Sequence, residues 1–206
     1  MKYYSRYVGA ICDTLNQIRV TDRHEGELPV EEGLKIWCDL TLKVQENDNT
    51  VYLIGNGASA SMASHMAADF SKNCECRSMA FNDIALMTAV SNDISYEQCF
   101  STPLLRFAGE GDILVTISSS GNSSNIINAI KTARELGLGV VTLSGFSSGN
   151  ISRKLGDLNF YLPAQTYGLV ESCHQALLHC WLDTFLEIRS AERVTLSVLP
   201  KSASLQ

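Results

Sequence analysis

Apolar and polar positions along the chain form blocks that predict two helices near the amino terminus. In the first block the apolar side chains recur three and four positions apart: Tyr4, Val8, Ile11, Leu15 and Ile18. This spacing predicts an amphipathic helix over residues 4–18. A second helix is expected from about Pro29, which suits the first helical position, to Gln45. The polar stretch 21–27 between them is predicted to be a solvated loop.

Short apolar runs rich in β-branched residues then alternate with helical patterns. Strands are predicted at 51–55, 78–82, 113–117, 139–144 and 158–162, the first of these being the first strand of the chain. Helices are predicted at 61–72, 84–90, 103–106, 125–136, 149–155 and 167–188, with a polar turn at 91–93. This alternation predicts an α/β fold: a parallel, flavodoxin-like sheet of about five strands with helices on both faces, plus two N-terminal helices. Residues 1–190 are expected to form one domain, and 191–206 a flexible tail.

Composition narrows the function classes. The chain is 45% hydrophobic and 18% charged, as globular domains are, and its net charge of −6 argues against nucleic acid as a partner. No apolar run is long enough for a membrane span, and the N-terminus lacks the apolar core of a signal peptide. The seven cysteines, an odd number, are expected to be reduced thiols of a cytoplasmic protein. Cys74 and Cys76 are too close, without a second pair, to predict a zinc site.

A loop of five serines, one glycine and one asparagine (118–124) joins the strand 113–117 to the helix that ends before Gly137. A helix N-terminus offers free N–H groups and a positive dipole end, so this loop favours an anion. The serine hydroxyls add donors without adding charge. The loop is therefore predicted to hold the phosphate of a small sugar. The alternative is a flexible Ser/Gly linker, which seldom separates a clear strand from a clear helix.

A second glycine- and serine-containing loop, 56–61, follows the strand 51–55. A dinucleotide-binding fingerprint would need a third glycine where Ala60 stands and an acidic residue about 20 positions further on. Neither is present, which disfavours that alternative. Because both loops follow strand ends, they are expected to face one crevice of a parallel sheet.

The long helix 167–188 is apolar nearly all round, which predicts burial on more than one side. At about 100° per residue, one face is the predicted core side: Val170, Cys173, Leu177, Cys180 and Thr184. Other apolar residues lie outside that face and predict contact with another subunit: Leu178, Leu182, Phe185 and Leu186.

Carboxylates and imidazoles are spaced to converge on two helices. Glu171 and His179 lie on one polar stripe of the last helix, together with Gln175, and His65 and Asp69 share a face one turn apart. Singly, each of these residues is best explained as structural or solvated. Together they could bind zinc or transfer protons. His174 lies nearer the core face and points away from His179, so it is not expected at the same ion.

Four segments of the sequence resemble the sugar isomerase (SIS) domain family, and most closely its phosphoheptose isomerases. They are Gly-Asn-Gly-Ala-Ser at 55–59, His-Met-Ala-Ala-Asp-Phe at 65–70, Ser-Asn-Asp at 91–93 and Ile-Ser-Ser-Ser-Gly-Asn-Ser at 117–123. The resemblance runs from about Tyr4 to Ile188. It implies interconversion of sedoheptulose 7-phosphate and a heptose 7-phosphate, in a homotetramer with active sites between subunits. It also implies one Zn²⁺, or a similar divalent metal, per subunit.

The resemblance implies roles for particular residues. The substrate-binding positions are Asn56, Gly57, Ala58, Ser59, Asn92, Asp93, Ser118, Ser119, Ser120, Ser123 and Glu171. The metal positions are His65, Asp69, Glu171 and His179. Asp69, Glu171 and His179 are also the candidates for proton transfer. Either carboxylate could be the base, with His179 as the acid.

The sequence departs from the family at several of these positions. Ala58 replaces a glycine, Asp69 a glutamate and Glu171 a glutamine, and Gly-Leu-Val at 168–170 stands where Asp-Arg-Ile is common. Two carboxylates near one point would repel each other without a cation, which strengthens the prediction of a divalent metal. The rival function is that of a related non-catalytic branch, which binds the bacterial replication initiator. That branch lacks the full carboxylate and imidazole set, so an enzyme is favoured here.

Overall fold

The computed structural model describes residues 2–24 and 26–198, which form a seven-stranded sheet covered by helices on both faces. The helices are α1 (Tyr3–Asn16), α2 (Val30–Glu46), α3 (Ala58–Asn73), α4 (Ile84–Asp93), α5 (Ser101–Phe107), α6 (Ser124–Glu135), α7 (Ile151–Leu155) and α8 (Tyr167–Val198), with a 3₁₀ turn at Tyr96–Gln98. The strands are β1 (Arg19–Asp22), β2 (Glu27–Leu28), β3 (Thr50–Gly55), β4 (Arg77–Ala80), β5 (Ile113–Ser118), β6 (Gly139–Ser144) and β7 (Leu158–Tyr161).

The five predicted strands form the parallel part of the sheet, in the order β7-β6-β5-β3-β4. The predicted α/β fold is thus confirmed. The chain runs outward from β3 to β4 and then returns to the other side of β3 as β5. Neighbouring β3 and β5 therefore flank the point where the strand order reverses, which is where open α/β sheets bind ligands. Gly55 and Ser118 end these two strands, and both predicted loops begin there.

A hairpin at one edge of the sheet was not predicted. Residues 21–27 were expected to be a loop, yet β1 pairs antiparallel with both β2 and β7. Val20 and Thr21 are buried, and Asn159 Nδ2 donates to the Thr21 carbonyl oxygen at 3.2 Å. Because β1 has four residues and β2 only two, neither shows the repeated alternation by which a strand is recognised. The prediction that 51–55 is the first strand is wrong for the same reason.

Aromatic side chains of three helices fill the core on one face of the sheet. The indole rings of Trp37 in α2 and Trp181 in α8 stack with centroids 4.1 Å apart, and Phe70 of α3 lies 4.0 Å from Trp181. The Trp181 Nε1–H donates to Thr41 Oγ1 at 3.1 Å. On the other face, apolar residues of α5 and α6 pack on β3, β5 and β6.

The core face of α8 is rotated from the predicted one. Leu178, Leu182 and Phe185 were assigned to another subunit but are buried in this chain, and Leu186 packs against them. Cys180, by contrast, is exposed and Thr184 only half-buried. The helix packs against α1, α2 and α3 at once, so most of its circumference is core. An angular projection built on one apolar stripe could not show this.

Three helix boundaries also differ from the predictions. Helix α8 continues to Val198, so the expected irregular chain from Ser190 is wrong over 190–198; residues 199–206 lie outside the described residues. Between Gly168 and Pro200 the sequence contains no glycine or proline that would end the helix. Residues 91–93 close helix α4 rather than form a turn, and α3 begins at Ala58 rather than 61.

No helix in the described part of the chain is long and apolar enough to cross a membrane.

All seven cysteines are free thiols. Burial raises the pKa of Cys74 to about 12 and that of Cys76 to about 11, which keeps both thiols protonated and unreactive.

Candidate functional site

The serine loop, residues 118–123, is held in place by hydrogen bonds along its whole length. Within the loop, Ser118 Oγ accepts from the Gly121 N–H at 3.1 Å and Ser120 Oγ accepts from the Asn122 N–H at 3.2 Å. From the next crossover, the Gly145 N–H donates to the Ser119 carbonyl at 3.0 Å, and the Ser152 N–H to the Gly121 carbonyl at 2.9 Å. A loop bonded in this way on both sides is a structured element and not a flexible linker.

Gly121 is the one residue of the loop whose type is dictated by the backbone. Its φ of +60° is in the left-handed region, which side chains other than glycine rarely adopt. A Cβ atom at this position would also lie 2.2 Å from Asn150 Oδ1. Asn150 is itself fixed, because its Nδ2 donates to Ser144 Oγ at 3.0 Å. The tight turn of the loop therefore depends on close contact with the β6–α7 connection.

A cavity of about 120 Å³ opens between the serine loop and the start of α8. It is lined by Asn56, Ser59, Ile117, Ser118, Ser119, Ser120, Ser123, Tyr167 and Glu171. We call it the serine pocket. The structure thus brings together seven of the predicted substrate-binding residues, including Glu171. Tyr167 was not predicted to line it, and no motif in the sequence points to it.

Two serine hydroxyls of the pocket are free to bind a ligand. Ser119 Oγ is buried and has no hydrogen-bond partner in the described structure. Ser123 is the N-cap of α6, yet its side chain makes no capping hydrogen bond. Leaving a buried hydroxyl unpaired is costly unless a ligand satisfies it. With the N-terminus of α6 beside them, these hydroxyls form a site suited to an anion.

A network of three side chains fixes the Asn56 carboxamide at the other side of the pocket. Asn56 and Asn125 exchange hydrogen bonds of 3.0 and 2.8 Å, and Tyr96 Oη donates to Asn56 Oδ1 at 2.9 Å. The Ile126 N–H donates to Asn125 Oδ1 at 3.0 Å, which identifies that oxygen as an acceptor and therefore the Asn56 Nδ2 facing it as the donor. Sequence reasoning missed both Asn125 and Tyr96, because neither stands in a segment that was assigned chemistry.

Three of the four predicted metal positions form a cluster on α3 and α8. The ligand atoms of His65, Asp69 and His179 all lie within 4.8 Å of one another. His65 Nε2 is 3.4 Å from Asp69 Oδ2, and the two imidazole rings have centroids 5.2 Å apart. Two imidazoles and a carboxylate match the ligand set of catalytic zinc sites, which keep one position open. The donor set of this cluster therefore fits a divalent metal ion.

The remaining predicted residues lie elsewhere. Glu171 is outside this cluster, eight residues before His179, and between them Gln175 Nε2 lies 3.8 Å from Met66 Sδ. Gly57 and Ala58 are exposed at the start of α3 and do not line the pocket.

Asn92 and Asp93, also predicted to bind substrate, are exposed at the end of α4 and do not line the pocket. There Asn92 Nδ2 donates to Asp93 Oδ1 at 2.8 Å.

His174 is fully buried, as its position near the predicted core face indicated, and lies outside the cluster. Burial lowers its pKa to about 4, and the nearby Ser144 backbone offsets only part of that effect. The imidazole is therefore neutral at pH 7.

Sequence comparisons with known proteins all match this chain to the same family. Residues 18–145 match the model of the SIS domain. Phosphoheptose isomerase of Aliarcobacter butzleri is 36% identical over 157 residues, which are 73% of this chain and 80% of the relative. The enzyme of the same name from Dechloromonas aromatica is 37% identical over 66% of this chain and 74% of its own.

Solved structures agree with these sequence matches. The structure of phosphoheptose isomerase from Neisseria gonorrhoeae superposes with a TM-score of 0.76 and 28% identity, covering 89% of this chain and 95% of that one. The enzyme from Francisella tularensis shares the fold at the same TM-score of 0.76 with 24% identity.

Proposed function

The chain belongs to the SIS domain family and is a sugar-phosphate isomerase, and from that premise we propose that its substrate is a seven-carbon sugar phosphate. The proposed reaction interconverts sedoheptulose 7-phosphate and glycero-manno-heptose 7-phosphate, or a closely related long-chain pair. One observation carries this proposal: the serine pocket and the cluster of His65, Asp69 and His179 each include a residue of α8, Glu171 and His179, eight residues apart.

The serine pocket is proposed to bind the phosphate. The hydroxyls of Ser119, Ser120 and Ser123 supply neutral donors, and the N-terminus of α6 supplies backbone N–H groups and a favourable dipole. Asn56 and Ser59 line the same cavity and are assigned to the sugar hydroxyls next to the phosphate. Binding at this end provides the energy that positions the reacting carbons at the other end.

The reacting carbons are proposed to lie near the cluster of His65, Asp69 and His179. Glu171 lines the serine pocket, and His179 follows it on α8 by eight residues, which is about 12 Å along a helix axis. The carbonyl of a ketose 7-phosphate is five carbons from the phosphate-bearing carbon. A long sugar chain can therefore reach from the pocket toward the cluster, whereas a three- or four-carbon sugar phosphate cannot.

We assign the two proton transfers to side chains at the carbonyl end. Going from ketose to aldose, the Asp69 carboxylate removes a proton from C1, and the electron pair of that bond forms the enediolate. The proton held by this carboxylate exchanges with solvent while the enediolate is bound, and the carboxylate then delivers a proton to C2. The His179 imidazole gives a proton to the oxygen on C2 and takes one from the oxygen on C1. Glu171, at the pocket, is assigned to substrate hydroxyl groups and not to the carbon acid.

A divalent ion is part of this proposal. His65, Asp69 and His179 would hold it, with Zn²⁺ the natural choice for two imidazoles and one carboxylate. When bound, such an ion supplies stabilisation of the negative charge on the enediolate oxygen. Glu171 was predicted as a fourth ligand, but its place at the serine pocket supports a role in substrate binding instead.

We also propose that the protein is a homotetramer. Leu178, Leu182 and Phe185 no longer support it, because they are buried within the chain. Support now comes from large apolar side chains exposed on other helices, including Tyr3 and Tyr4 of α1 and Ile84 of α4, which are 62%, 81% and 78% exposed. Asn92 and Asp93, exposed at the far end of α4, would bind substrate only if α4 meets a neighbouring subunit's pocket.

The test is a panel of ketose phosphates of five, six and seven carbons, assayed with metal supplied. The proposal predicts the highest kcat/KM for the seven-carbon substrate and a loss of at least 100-fold in Asp69→Asn. Glu171→Gln should raise KM more than it lowers kcat, since it is assigned to binding. A protein that folds, holds metal and turns over no member of the panel would instead favour the regulatory branch of the family.

A further inference from the structure

A second polar cavity, of about 430 Å³, lies beside the β1–β2 hairpin and apart from the serine pocket. Its walls are Arg19, Thr21, Glu27, Ser148, Gly149, Arg153 and Lys154. We call it the basic cavity. Its volume is within the range of about 300–1,000 Å³ that small-molecule sites occupy. The proposed isomerisation uses none of these residues.

Positive charge dominates this cavity. Among the described residues that line it, Arg19, Arg153 and Lys154 are cationic and Glu27 is the one acidic residue. Among the described residues, no carboxylate oxygen lies within 4.0 Å of the charged nitrogens of these three cations, although Arg23 close by is paired with Asp157 at 3.8 Å. Among the described residues that line the cavity, all but Gly149 have polar or charged side chains. Such a site attracts an anion.

Arg153 is held in position before any ligand arrives. Its Nη1 donates to the Ser148 carbonyl at 3.0 Å, and its guanidinium lies over the Tyr161 ring, 5.0 Å from the centroid. Less conformational entropy is lost on binding when the donor is already restrained. The guanidinium fork matches phosphate oxygens in geometry, and Lys154 and Arg19 add charge from two sides.

We propose that the basic cavity binds a phosphorylated small molecule, recognised through its phosphate oxygens by Arg19, Arg153 and Lys154. A diphosphate or a phosphate ester fits both the charge and the volume. The net charge of −6 disfavours a nucleic acid as the ligand.

The basic cavity lies beside the chain that supports the serine loop, so ligand binding in the cavity should affect that loop. Residues 148–154 belong to the connection that contacts that loop: the Ile151 N–H donates to Asn122 Oδ1 at 2.9 Å, and the Ser152 N–H to the Gly121 carbonyl at 2.9 Å. A ligand that restrains Arg153 and Lys154 thereby restrains the chain that supports Gly121. Binding in the basic cavity should stabilise the loop that forms the serine pocket.

Isothermal titration with inorganic pyrophosphate tests the site. Wild-type protein should bind it, and the double variant Arg19→Gln/Lys154→Gln should show a Kd at least tenfold higher. The control is Arg77→Gln: Arg77 is exposed on β4 at the opposite edge of the sheet, and its Nη1 makes one bond to the Asp48 carbonyl at 3.0 Å, as Arg153 does to Ser148. The control should match the wild type.

A second variant separates this site from the serine pocket, which could also bind pyrophosphate. Ser123→Ala should leave the basic cavity's binding component unchanged, whether or not the serine pocket binds phosphate. Amide hydrogen exchange should show pyrophosphate protecting residues 147–155 in wild type but not in the double variant. Absence of pyrophosphate binding by wild type, or equal Kd and equal protection of 147–155 in the double variant, would overturn the proposal.

Discussion

At the residue scale, His174 makes an unusual contribution, because a neutral imidazole is fully buried in α8. Neither ring nitrogen has a hydrogen-bond partner within normal distance in the described structure. Burial therefore dominates its protonation, and the nearby Ser144 backbone opposes that effect only in part. Its pKa is lowered to about 4 from the ordinary 6.5. Between those values the unfolded chain binds a proton that the folded chain does not. Stability is therefore lost as the pH falls from about 6.5 toward 4.

This predicts that His174→Leu removes part of the acid sensitivity of the fold. The full effect of the shift is about 3 kcal/mol, from about 1.4 kcal/mol per pKa unit, and roughly half of it should appear by pH 5. The measurement is the free energy of unfolding in urea at pH 7 and pH 5. The control is His24→Gln, which removes an exposed imidazole. Between pH 7 and pH 5 its free energy of unfolding should fall by as much as that of wild type. An equal loss in His174→Leu would show that this imidazole is not held neutral.

Within the serine pocket, Ser119 and Ser123 offer the sharpest substitutions, since neither hydroxyl has a partner to lose. Replacing Ser119 by Ala should leave the fold intact and weaken phosphate binding by about 1.5–3 kcal/mol, the value of a hydrogen bond to a charged group. That corresponds to a rise in KM of about tenfold or more, measured by steady-state kinetics. If KM is unchanged in both Ser119→Ala and Ser123→Ala, the serine loop does not bind the phosphate.

Single residues were predictable from sequence where spacing on one helix decides their geometry. His65 and Asp69 lie one turn apart and do meet His179 of α8. The sequence also predicts Glu171 at this ion because it shares the stripe of His179, yet its carboxylate lies outside the group of ligand atoms that are within 4.8 Å of one another. The Asn56–Asn125–Tyr96 network joins residues far apart in the chain, which no local pattern reveals.

At the element scale, the serine loop depends on Gly121 more than on its serines. Gly121→Ala places a Cβ at a φ of +60° and against Asn150, so the loop must shift. We expect a stability loss of about 1–3 kcal/mol together with a marked rise in KM. Gly109→Ala is the matched control, since a Cβ there meets nothing within 4 Å. If the two variants have equal stability and KM, the contact between the loop and the β6–α7 connection is unimportant.

The burial of the Phe185 face of α8 within the chain yields a prediction about the core. Phe185 is fully buried within one chain, so Phe185→Ala should lower the free energy of unfolding by about 3–5 kcal/mol. Leu105→Ala, at a residue that is 57% exposed, should change it by less than about 0.5 kcal/mol. Were Phe185 a subunit contact instead, its effect would grow as the protein is diluted. Urea midpoints at two protein concentrations distinguish these cases.

Which elements could be predicted follows from their length and periodicity. The parallel strands are four to six residues long and mostly apolar, and each was found from sequence. The β1–β2 hairpin was missed because its pairing with β7 comes from tertiary contact and not from its own pattern. The end of α8 was not predicted because residues 190–198 are polar in part, yet they contain no glycine or proline to end the helix.

At the scale of the whole molecule, the fold places two loops at the point where strand order reverses and sets α8 across them. The family of the chain follows from matches over most of its length, but the sequence could not show which apolar surface remains exposed. The exposed apolar residues of α1 and α4 predict a tetramer by sedimentation velocity at micromolar concentration. A monomer under those conditions would contradict both the assembly and an active site shared between subunits.

The central claim is that this chain moves a proton between neighbouring carbons of a long-chain ketose phosphate. The direct measurement is proton NMR of sedoheptulose 7-phosphate incubated in D₂O with the metal-loaded protein. We predict formation of an aldose 7-phosphate carrying deuterium at C2, and formation at least 100-fold slower with Asp69→Asn. If the folded, metal-loaded protein produces no aldose and exchanges no carbon-bound hydrogen, the account is wrong.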